Sequence, residues 1–257
     1  MLVRSWNLFH GNTWPPQRRA FLDEMIALAT ADDPDVLCVQ EVPAWALGRF
    51  AVGDVASRPP FGAAVGRLLT APDHGLIRSA FAGQGNALWL STRVRMIDHH
   101  VLSLNPQRYR GREARALGLT RAARASWAKE RRIVQAVRLT LGKRTFVVAN
   151  MHCTSYAGDP RLADAELLRA AWFVDSVAGR DDVLVLAGDF NAGPGESAAL
   201  ADLAGPEWGF SAAGPGIDHV LVRGAESSPP RVWPDERRRR PDGTLLSDHA
   251  PVEVEID

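Results

Sequence analysis

Residues 183–191 read VLVLAGDFN, an apolar run that ends abruptly in Gly-Asp-Phe-Asn. A short apolar stretch bounded by a turn signal is typical of a strand buried on both faces. Residues 247–256 read SDHAPVEVEI, in which polar residues come directly before an apolar strand. Polar side chains at the ends of buried strands gather at one sheet edge, where sites form on α/β scaffolds. These two stretches therefore predict an α/β fold with a polar site at a sheet edge.

Further apolar stretches continue this pattern along the chain. Residues 2–7 and 36–40 predict strands, and residues 15–30 between them begin with proline and have apolar residues at helical spacing. Such a strand–helix–strand unit is one layer element of an α/β protein. Residues 163–179 predict an amphipathic helix, whereas residues 105–129, rich in Arg and Ala, predict an irregular loop with some helix. The remaining predicted strands are 87–91, 96–104, 132–141, 145–153, 217–222 and 251–256, with a hairpin turn at 141–144.

The composition limits the class of protein. The 257 residues are 46% apolar, which is enough for one sizeable core, and they contain neither a repeat nor a linker, so residues 1–257 are predicted to form a single domain. Lys+Arg and Asp+Glu both total 30, so the net charge is zero. A protein that coats nucleic acid by charge alone is normally basic. The zero net charge argues against nonspecific coating of nucleic acid, but it is compatible with a local basic patch.

The cysteines and the first residues bear on the compartment. Cys38 and Cys153 lie in apolar strand-like runs and are predicted to be buried free thiols. The opening MLVRSWNLFHG has no apolar stretch followed by a small-residue cleavage site, which predicts no signal peptide. No run approaches the ~20 apolar residues of a membrane-spanning helix. We therefore expect a cytoplasmic protein without a membrane span, and a monomer by default.

Polar residues follow or precede the predicted strands at many points. These residues are Asn7, Glu41, His152, Asp189, Asn191, Asp218, Asp248 and His249. They supply oxygen donors and two imidazoles, without a cluster of thiolates. Carboxylate and amide oxygens suit Mg²⁺ or Mn²⁺, which bind through one or two carboxylates together with phosphate oxygens of a substrate. The sequence therefore predicts that these side chains cluster around a Mg²⁺ or Mn²⁺ site.

The ordered series of short motifs resembles the endonuclease–exonuclease–phosphatase superfamily. The motifs are SWN (5–7), QE (40–41), GNALW (85–89), NMH (150–152), GDFN (188–191), IDH (217–219) and SDHAPV (247–252). GDFN and SDHAPV are quite specific, and the resemblance extends from Asn7 to the final strand. It implies a four-layer α/β sandwich of two mainly antiparallel β-sheets flanked by helices, and hydrolysis of phosphate esters with Mg²⁺.

The resemblance also implies roles for individual residues. Glu41 resembles the metal ligand of the family, with Asn7 and Asp248 close enough to assist it or to hold a second ion. Asp189 resembles the group that orients or deprotonates the attacking water. Asn191 resembles the amide that donates to a phosphate oxygen.

Two histidines acquire roles in the same way. His249 would contact the scissile phosphate, with Asp218 fixing its tautomer as a carboxylate does for a triad histidine. His152 resembles the second histidine of the pancreatic deoxyribonuclease and neutral sphingomyelinase branches, on the leaving-group side. Asn86 is at the position from which family members support that histidine.

Departures from the family pattern narrow the choice of branch. Phe9 stands where many members carry a second metal-binding polar residue, which favours one tightly bound ion. His152 stands where the abasic-site nucleases have Tyr, and Ala192 stands where the inositol-polyphosphate phosphatases have Arg. The sequence is therefore most similar to the deoxyribonuclease-like and sphingomyelinase-like branches.

The resulting hypothesis is a Mg²⁺-dependent phosphoric ester hydrolase, a phosphodiesterase or nuclease that uses in-line attack by water. A phosphomonoesterase and a phospholipid-headgroup hydrolase are alternatives within the same chemistry. An inactive binding or scaffold module of the same fold is an alternative from another class. The expected partner is a phosphate-ester substrate, with nucleic acid among the candidates.

A structural interpretation competes with a functional one at other polar residues. His219 neighbours Asp218 on a strand, so the two side chains point to opposite faces and His219 is predicted to be packed. The run Arg237–Arg240 favours a solvated loop, with contact to a phosphate backbone as the alternative. Glu130 stays open between the two interpretations. The histidines outside every motif, predicted to be surface or loop residues, are His10, His74, His99 and His100.

The tryptophans are predicted to fall into two groups, one packed in the protein and one in loops that border a substrate groove. Trp6, Trp89, Trp172 and Trp208 are predicted to pack in the core or on the sheets. Trp14, Trp45 and Trp233 lie in predicted loops that could border a substrate groove.

Overall fold

Two β-sheets lie face to face in the computed structural model, which describes residues 1–57, 83–157 and 159–257. The described strands of the first sheet are β1 (Leu2–Asn7), β3 (Val36–Pro43), β4 (Val52–Ser57), β5 (Gln84–Leu90), β11 (Arg231–Val232) and β13 (Val252–Glu255). Their order is β11-β13-β1-β3-β5-β4.

The second sheet follows the order β10-β9-β8-β7-β6 in the described part of the chain. These strands are β6 (Val94–Ser103), β7 (Ile133–Leu141), β8 (Arg144–His152), β9 (Val183–Asp189) and β10 (Asp218–Arg223). A small ribbon pairs β2 (Thr13–Trp14) with β12 (Leu245–Leu246).

Helices lie outside the two sheets. The described α-helices are α1 (Leu22–Thr30), α2 (Gln107–Ala116), α3 (Arg121–Lys129), α4 (Arg161–Val177), α5 (Ala198–Ala204) and α6 (Asp235–Arg238), with short 3₁₀ turns at Phe9–Gly11 and Ala44–Arg49. None of the helices in the described ranges has both the length and the apolar character needed to cross a membrane.

Side-chain alternation along the strands produces four layers. On β9, Val185 faces the other sheet, whereas Leu186 faces α4, because successive side chains of a strand point to opposite faces. In the first sheet, Cys38 of β3 points between the sheets and Leu37 packs under α1. The layers are therefore α1, sheet, sheet and α4.

The strand directions agree with this architecture. Each sheet has one parallel pair, β1 with β3 and β8 with β9, and the other described pairs are antiparallel. The parallel pairs are joined through α1 and α4, as parallel connections require. The predicted four-layer sandwich of mainly antiparallel sheets is confirmed. Cys38 and Cys153 are free and buried, as predicted.

A buried hydrogen-bond chain ties the two sheets together. The Nε2 atom of Gln40 in β3 donates to Oδ1 of Asn150 in β8 at 2.8 Å, and both side chains are fully buried. The Nδ2 atom of Asn150 donates in turn to the carbonyl oxygens of Val39 and Ala87 at 3.0 and 2.9 Å. These bonds fix the register of one sheet against the other.

Two predicted segments differ from the structure. The helix predicted over 15–30 begins only at Leu22, because Asn12 holds the preceding loop: its side chain accepts from the Gln17 N–H at 2.9 Å and donates to the Gln17 carbonyl at 3.0 Å. The segment 105–129, predicted as mostly loop, forms α2 and α3. Their apolar contacts, centred on the buried Trp127, depend on packing against α4 and leave little periodicity in the sequence.

Gly188 allows β9 to approach β8 closely. Its φ is 147°, and an added Cβ would overlap the carbonyl oxygen of Met151 in β8. We expect Gly188→Ala to lower the free energy of unfolding by at least about 1–3 kcal/mol, because the strands must separate, and to displace the following Asp189. Denaturant unfolding measures the change.

Gly111→Ala is the matched control for this experiment. Gly111 lies inside α2, and a Cβ there would meet nothing within 4 Å. Alanine should be neutral or stabilising at this helical position. A Gly188→Ala protein as stable as the Gly111→Ala protein would contradict the assigned role of Gly188.

Candidate active site

Asp189, at the end of β9, lies at the centre of the polar residues on the sheet edge. Its Oδ2 accepts a hydrogen bond from Nδ2 of Asn7 at 2.9 Å, and its Oδ1 accepts one from the backbone N–H of Asn191 at 2.9 Å. The same Oδ2 lies 3.4 Å from Nε2 of His152 and 3.8 Å from Nε2 of His249. Asp189 thus joins residues from both sheets.

The strand register explains this convergence. His152 is the partner of Asp189 across the parallel pair β8–β9, and Asp218 is its partner across the antiparallel pair β9–β10. Three functional side chains therefore form one row over three adjacent strands.

The environment of Asp189 brings its titration close to neutral pH. Burial raises the pKa of Asp189 to about 7, and the charge of Asp218 adds to this effect. The charge of His249 and the hydrogen bonds from Asn7 and Asn191 act in the opposite direction. A carboxyl group with such a pKa suits general-base chemistry near pH 7.

His249 is held by Asp218. Its Nδ1 lies 2.7 Å from Oδ2 of Asp218. Burial alone would lower the pKa of His249, but the hydrogen bond and charge of Asp218, together with the charges of Asp189 and Asp248, raise the pKa to about 9. At neutral pH the ring is therefore a cation, with its Nε2–H on the side of Asp189.

His152, unlike His249, is in the neutral form. Its Nδ1 lies 3.0 Å from NH1 of Arg132. Because a guanidinium can only donate, Nδ1 accepts and the ring proton is on Nε2, which faces Asp189. Burial and then the positive charges of Arg132 and His249 hold the pKa of His152 well below its ordinary value. The ring is therefore neutral.

Arg132 is a site residue that the sequence motifs do not reveal. It follows the loop after α3, and only the fold places its guanidinium against His152. Glu130 pairs with Arg132 at 3.0 Å, so Glu130 acts on the site through Arg132. Asn86, predicted to support His152, instead donates from Nδ2 to the carbonyl oxygen of Ile133 at 3.3 Å. Arg132 takes that supporting position.

A β-bulge aims Glu41 into the cleft. Regular alternation would point it toward α1, like Val39, but the register of β3 shifts between Val39 and Val42, and Glu41 has a φ of 53°. A bulge re-aims a side chain in this way. The Oε1 atom of Glu41 lies 3.9 Å from Nε2 of His152 in the other sheet.

His10 also belongs to the site, although the sequence places it outside every motif. Its Nε2 lies 3.2 Å from Oε2 of Glu41. His10 lies in a turn, as predicted for a surface or loop residue, but this turn after β1 folds back over β3 and brings the ring beside Glu41. His99 pairs instead with Asp54 of β4, and His74 lies outside the described residues.

Backbone strain is concentrated at this edge. Phe9, His10, Glu41, Asn191 and Ser247 have φ between 45° and 64°. A left-handed conformation costs a residue with a side chain roughly 1–3 kcal/mol, and such residues are typical of functional sites.

The remaining predicted residues lie at the same edge. Asn191 donates one of its two amide N–H groups to the carbonyl oxygen of Cys153 at 3.0 Å. Asp248 is exposed, with Oδ1 3.4 Å from Oγ of Ser247. His219 is fully buried and its Nε2 lies 3.0 Å from the Ala192 carbonyl, so the packed role predicted for it is confirmed.

Two sets of donor atoms could hold a divalent cation. Ligand atoms of Asp189, Asp218 and His249 lie within 4.8 Å of one another. The protonated His249 ring is a poor ligand, however, since a metal needs the free nitrogen. Glu41 offers a carboxylate, 18% exposed, that reaches the cleft. By donor type, the oxygens of Glu41, Asn7 and Asp248 are those that a hard divalent cation prefers.

Cavities on the two sides of the site differ in charge. The cleft around Glu41, Arg132 and His152 adjoins, through Ala56, a cavity of about 500 Å³ whose lining residues are Val55, Ala56, Ser57, Lys129 and Arg131. A cavity of about 480 Å³ beyond Asn191 is lined instead by neutral and acidic residues, among them Tyr156, Asp159 and Glu196. The side of the site next to Lys129 and Arg131 is therefore the cationic one.

The run Arg237–Arg240 is mainly structural. Arg238 is buried and donates to the carbonyl oxygens of Leu246 and Ser247 at 3.2 and 2.7 Å, directly before Asp248. Arg239, 46% exposed, is the solvated member of the run.

Arg237 and Arg240, in the same run, also contact other side chains of the protein. The guanidinium of Arg237 lies 3.4 Å from the ring centroid of Trp233 and pairs with Asp32, and Arg240 pairs with Glu24 at 3.1 Å. Three of the four guanidinium groups are therefore held by partners within the protein, and Arg239 is the solvated member that the loop prediction describes.

Two tryptophan predictions are wrong. Trp233, predicted in a loop at the rim, is buried between Arg4 and Arg237. Trp172, predicted in the core, is 62% exposed on the outer side of α4, where its ring meets Trp208 edge-on. The amphipathic pattern of α4 predicts a helix with a buried face, but it did not identify Trp172 as an apolar residue on the exposed face.

The chain was compared with models of protein families and with curated protein sequences. The sequence model of the Endonuclease/Exonuclease/phosphatase family matches residues 5–249. No curated protein sequence matches this chain.

Three solved structures illustrate the similarity of fold. The endonuclease/exonuclease/phosphatase from Bacteroides vulgatus is 15% identical with a TM-score of 0.66, over 100% of this chain and 98% of that one. The human Nocturnin catalytic domain with bound sulfate is 18% identical, TM-score 0.61, over 100% and 93%. D. rerio TDP2 complexed with a single-strand DNA product is 12% identical, TM-score 0.62, over 100% and 98%. At these sequence identities, the structural similarity shows a shared fold and nothing more specific.

The structural role of Arg238 can be tested against its neighbour. We expect Arg238→Ala to lower the free energy of unfolding by about 2–4 kcal/mol, because two buried carbonyl groups lose their donor. Arg239→Ala, on the exposed side chain, should change it by less than about 0.5 kcal/mol. Thermal and denaturant unfolding measure both, and equal effects would contradict the distinction.

Proposed function

The chain belongs to the Endonuclease/Exonuclease/phosphatase family, and from this premise we propose that it is a divalent-metal-dependent phosphodiesterase that uses in-line attack by water. The position of Asp189 between Asn7, His152 and His249 carries the proposal. One carboxylate faces two imidazoles in different charge states, which is an arrangement suited to moving a proton beside a phosphate.

Asp189 would position and deprotonate the attacking water. Asn7 and Asn191 fix both of its oxygens by hydrogen bonds, so the carboxylate cannot rotate freely. Burial raises its pKa toward neutrality, which makes it a stronger base than an exposed aspartate. Both properties favour activation of a water molecule held in one orientation.

His249 would stabilise the negative charge that develops on the phosphate. Its Nε2–H is the free end of the ring, because Asp218 occupies Nδ1 at 2.7 Å. A fixed cation in a partly buried cleft stabilises a developing charge more than water does. The role of Asp218 is to orient the ring and to keep it protonated.

Glu41 would be the principal ligand of Mg²⁺ or Mn²⁺, with Asn7 and Asp248 as further oxygen donors. When bound, such an ion supplies a Lewis acid that draws charge from a phosphate oxygen. Asn7 is partly committed, since its Oδ1 accepts from the Phe9 N–H at 3.0 Å and its Nδ2 donates to Asp189. Glu41 and Asp248 would therefore supply the negative charge, and Asn7 would add a neutral oxygen donor.

His152 and Asn191 would hold the remaining oxygens. His152 is neutral, so its Nε2–H donates to an oxygen on the leaving-group side without adding a second cation to the cleft. Asn191 has one amide N–H left for a phosphate oxygen. Arg132 fixes the tautomer of His152 and thereby its direction of donation.

The cation-lined cavity favours a substrate with more than one phosphate, such as nucleic acid. Lys129 and Arg131 line the cavity that adjoins the cleft, and cationic side chains supply most of the affinity for a phosphate backbone. D. rerio TDP2, of the same fold, is described in complex with a single-strand DNA product. The phosphomonoesterase and lipid-headgroup alternatives would show instead as preference for a monoester or for sphingomyelin in a substrate panel.

The catalytic roles predict a ranked set of variants. At saturating Mg²⁺, His249→Ala should reduce kcat toward bis(p-nitrophenyl) phosphate by roughly 10²–10⁴. Asp218→Asn should cause a smaller loss, since the imidazole stays in the cleft and loses only the carboxylate that orients it and favours its protonated form. Glu41→Gln should raise the Mg²⁺ concentration needed for half-maximal activity. His100→Ala, at an exposed histidine on β6, is the control and should behave like the unaltered protein. An active His249→Ala enzyme would remove the roles assigned here.

The nucleic-acid hypothesis predicts a change in salt dependence. In Lys129→Ala/Arg131→Ala, the slope of log kcat/KM against log salt for a single-strand oligonucleotide should become shallower by about 0.7 for each lost phosphate contact. Bis(p-nitrophenyl) phosphate provides the internal reference. Lys143→Ala/Arg180→Ala removes two exposed cations at the opposite ends of the strands and should leave the slope unchanged. Equal slopes in both double variants would exclude this cavity as the nucleic-acid contact.

A further inference from the structure

His10 lies in a turn that holds its ring beside Glu41. Phe9, His10 and Gly11 have φ of 45°, 56° and 79°, so three consecutive residues are left-handed. The turn begins at Asn7, whose Oδ1 accepts a hydrogen bond from the Phe9 N–H at 3.0 Å. The backbone therefore brings His10 to the rim of the cleft at the cost of strain in two residues with side chains.

The His10 ring has one nitrogen available for chemistry. Its Nε2 lies 3.2 Å from Oε2 of Glu41, and both side chains are about four-fifths buried, at 20% and 18% exposure. Its Nδ1 is buried and has no hydrogen-bond partner among the described residues. Whatever the ring does, it does through Nε2 next to the Glu41 carboxylate.

The separation of these two atoms fits two donors to one ion. Metal bonds of ~2.0–2.2 Å place neighbouring nitrogen and oxygen donors about 3.0–3.4 Å apart at tetrahedral or octahedral angles. A direct N–H···O hydrogen bond is on average shorter, most often about 2.9–3.0 Å with an upper limit near 3.2 Å, and the His249–Asp218 pair lies at 2.7 Å. The His10–Glu41 distance of 3.2 Å lies in the first range.

We propose that His10 and Glu41 bind the same divalent ion, and that the imidazole makes the site prefer Mn²⁺ to Mg²⁺. This rests on the metal-binding role proposed above for Glu41. Mg²⁺ prefers oxygen donors and a hydrated octahedral shell, whereas an imidazole donor adds affinity for transition ions. His10 thus sets the preference between ions, and Glu41 supplies the negative charge that both ions need.

Pulsed EPR of the full chain with substoichiometric Mn²⁺ tests the proposal without reference to activity, because an imidazole bound to Mn²⁺ produces a nitrogen hyperfine coupling. The coupling is expected in the unaltered protein and should disappear in His10→Gly and His10→Asn. Both replacements tolerate a left-handed backbone, so the turn is preserved. Calorimetric titration should show Mn²⁺ affinity reduced by about tenfold or more in these variants, with Mg²⁺ affinity nearly unchanged.

His99→Ala is the matched control, because Nε2 of His99 pairs with a carboxylate of Asp54 at 2.8 Å outside the proposed ligand set. It should keep both the coupling and the affinity. A nitrogen coupling that survives in both His10 variants, or Mn²⁺ binding without any coupling, would overturn the proposal and leave the role of Glu41 standing. Absence of Mn²⁺ binding, or unchanged binding in Glu41→Gln, would overturn both.

Discussion

The hydrogen bond between Gln40 and Asn150 is the constraint on which the site depends. It joins the two sheets at 2.8 Å through side chains that are fully buried. Gln40 directly precedes Glu41, and Asn150 lies two residues before His152, so the bond sets the distance between the carboxylate and the imidazole. A buried amide left without its partner costs roughly 1–3 kcal/mol. Sliding one sheet over the other is therefore penalised at the place where it would separate the functional groups.

With the sheets fixed, the partners of the two histidines decide their charge. His249 meets the carboxylate of Asp218, and its pKa is raised. His152 meets the guanidinium of Arg132 in a more buried position, and its pKa is lowered. One cleft thus contains a cationic donor and a neutral donor, so that opposite sides of a phosphate can be treated differently. Identical residue types obtain different chemistry from their surroundings.

Elements whose residues carry a local signal could be predicted from the sequence. The apolar runs of β8 and β9 indicate buried strands, and the polar residues after them, His152 and Asp189, share an edge because neighbouring strands end together. The helices α2 and α3 were largely missed because their contacts with α4 come from another part of the chain. The same reason applies to Arg238, whose carbonyl partners become visible only when the chain has folded.

The sequence by itself determined the layered α/β architecture and the edge at which Asn7, Glu41, Asp189 and His249 gather, because strand periodicity and strand ends are local properties of a chain. Only the tertiary structure decided how these groups face one another. The bulge that turns Glu41 into the cleft, the turn that brings His10 to it and the approach of Arg132 to His152 depend on backbone geometry and long-range packing. The identity of a residue does not indicate this geometry, since the same histidine or arginine occurs both at protein surfaces and in functional sites.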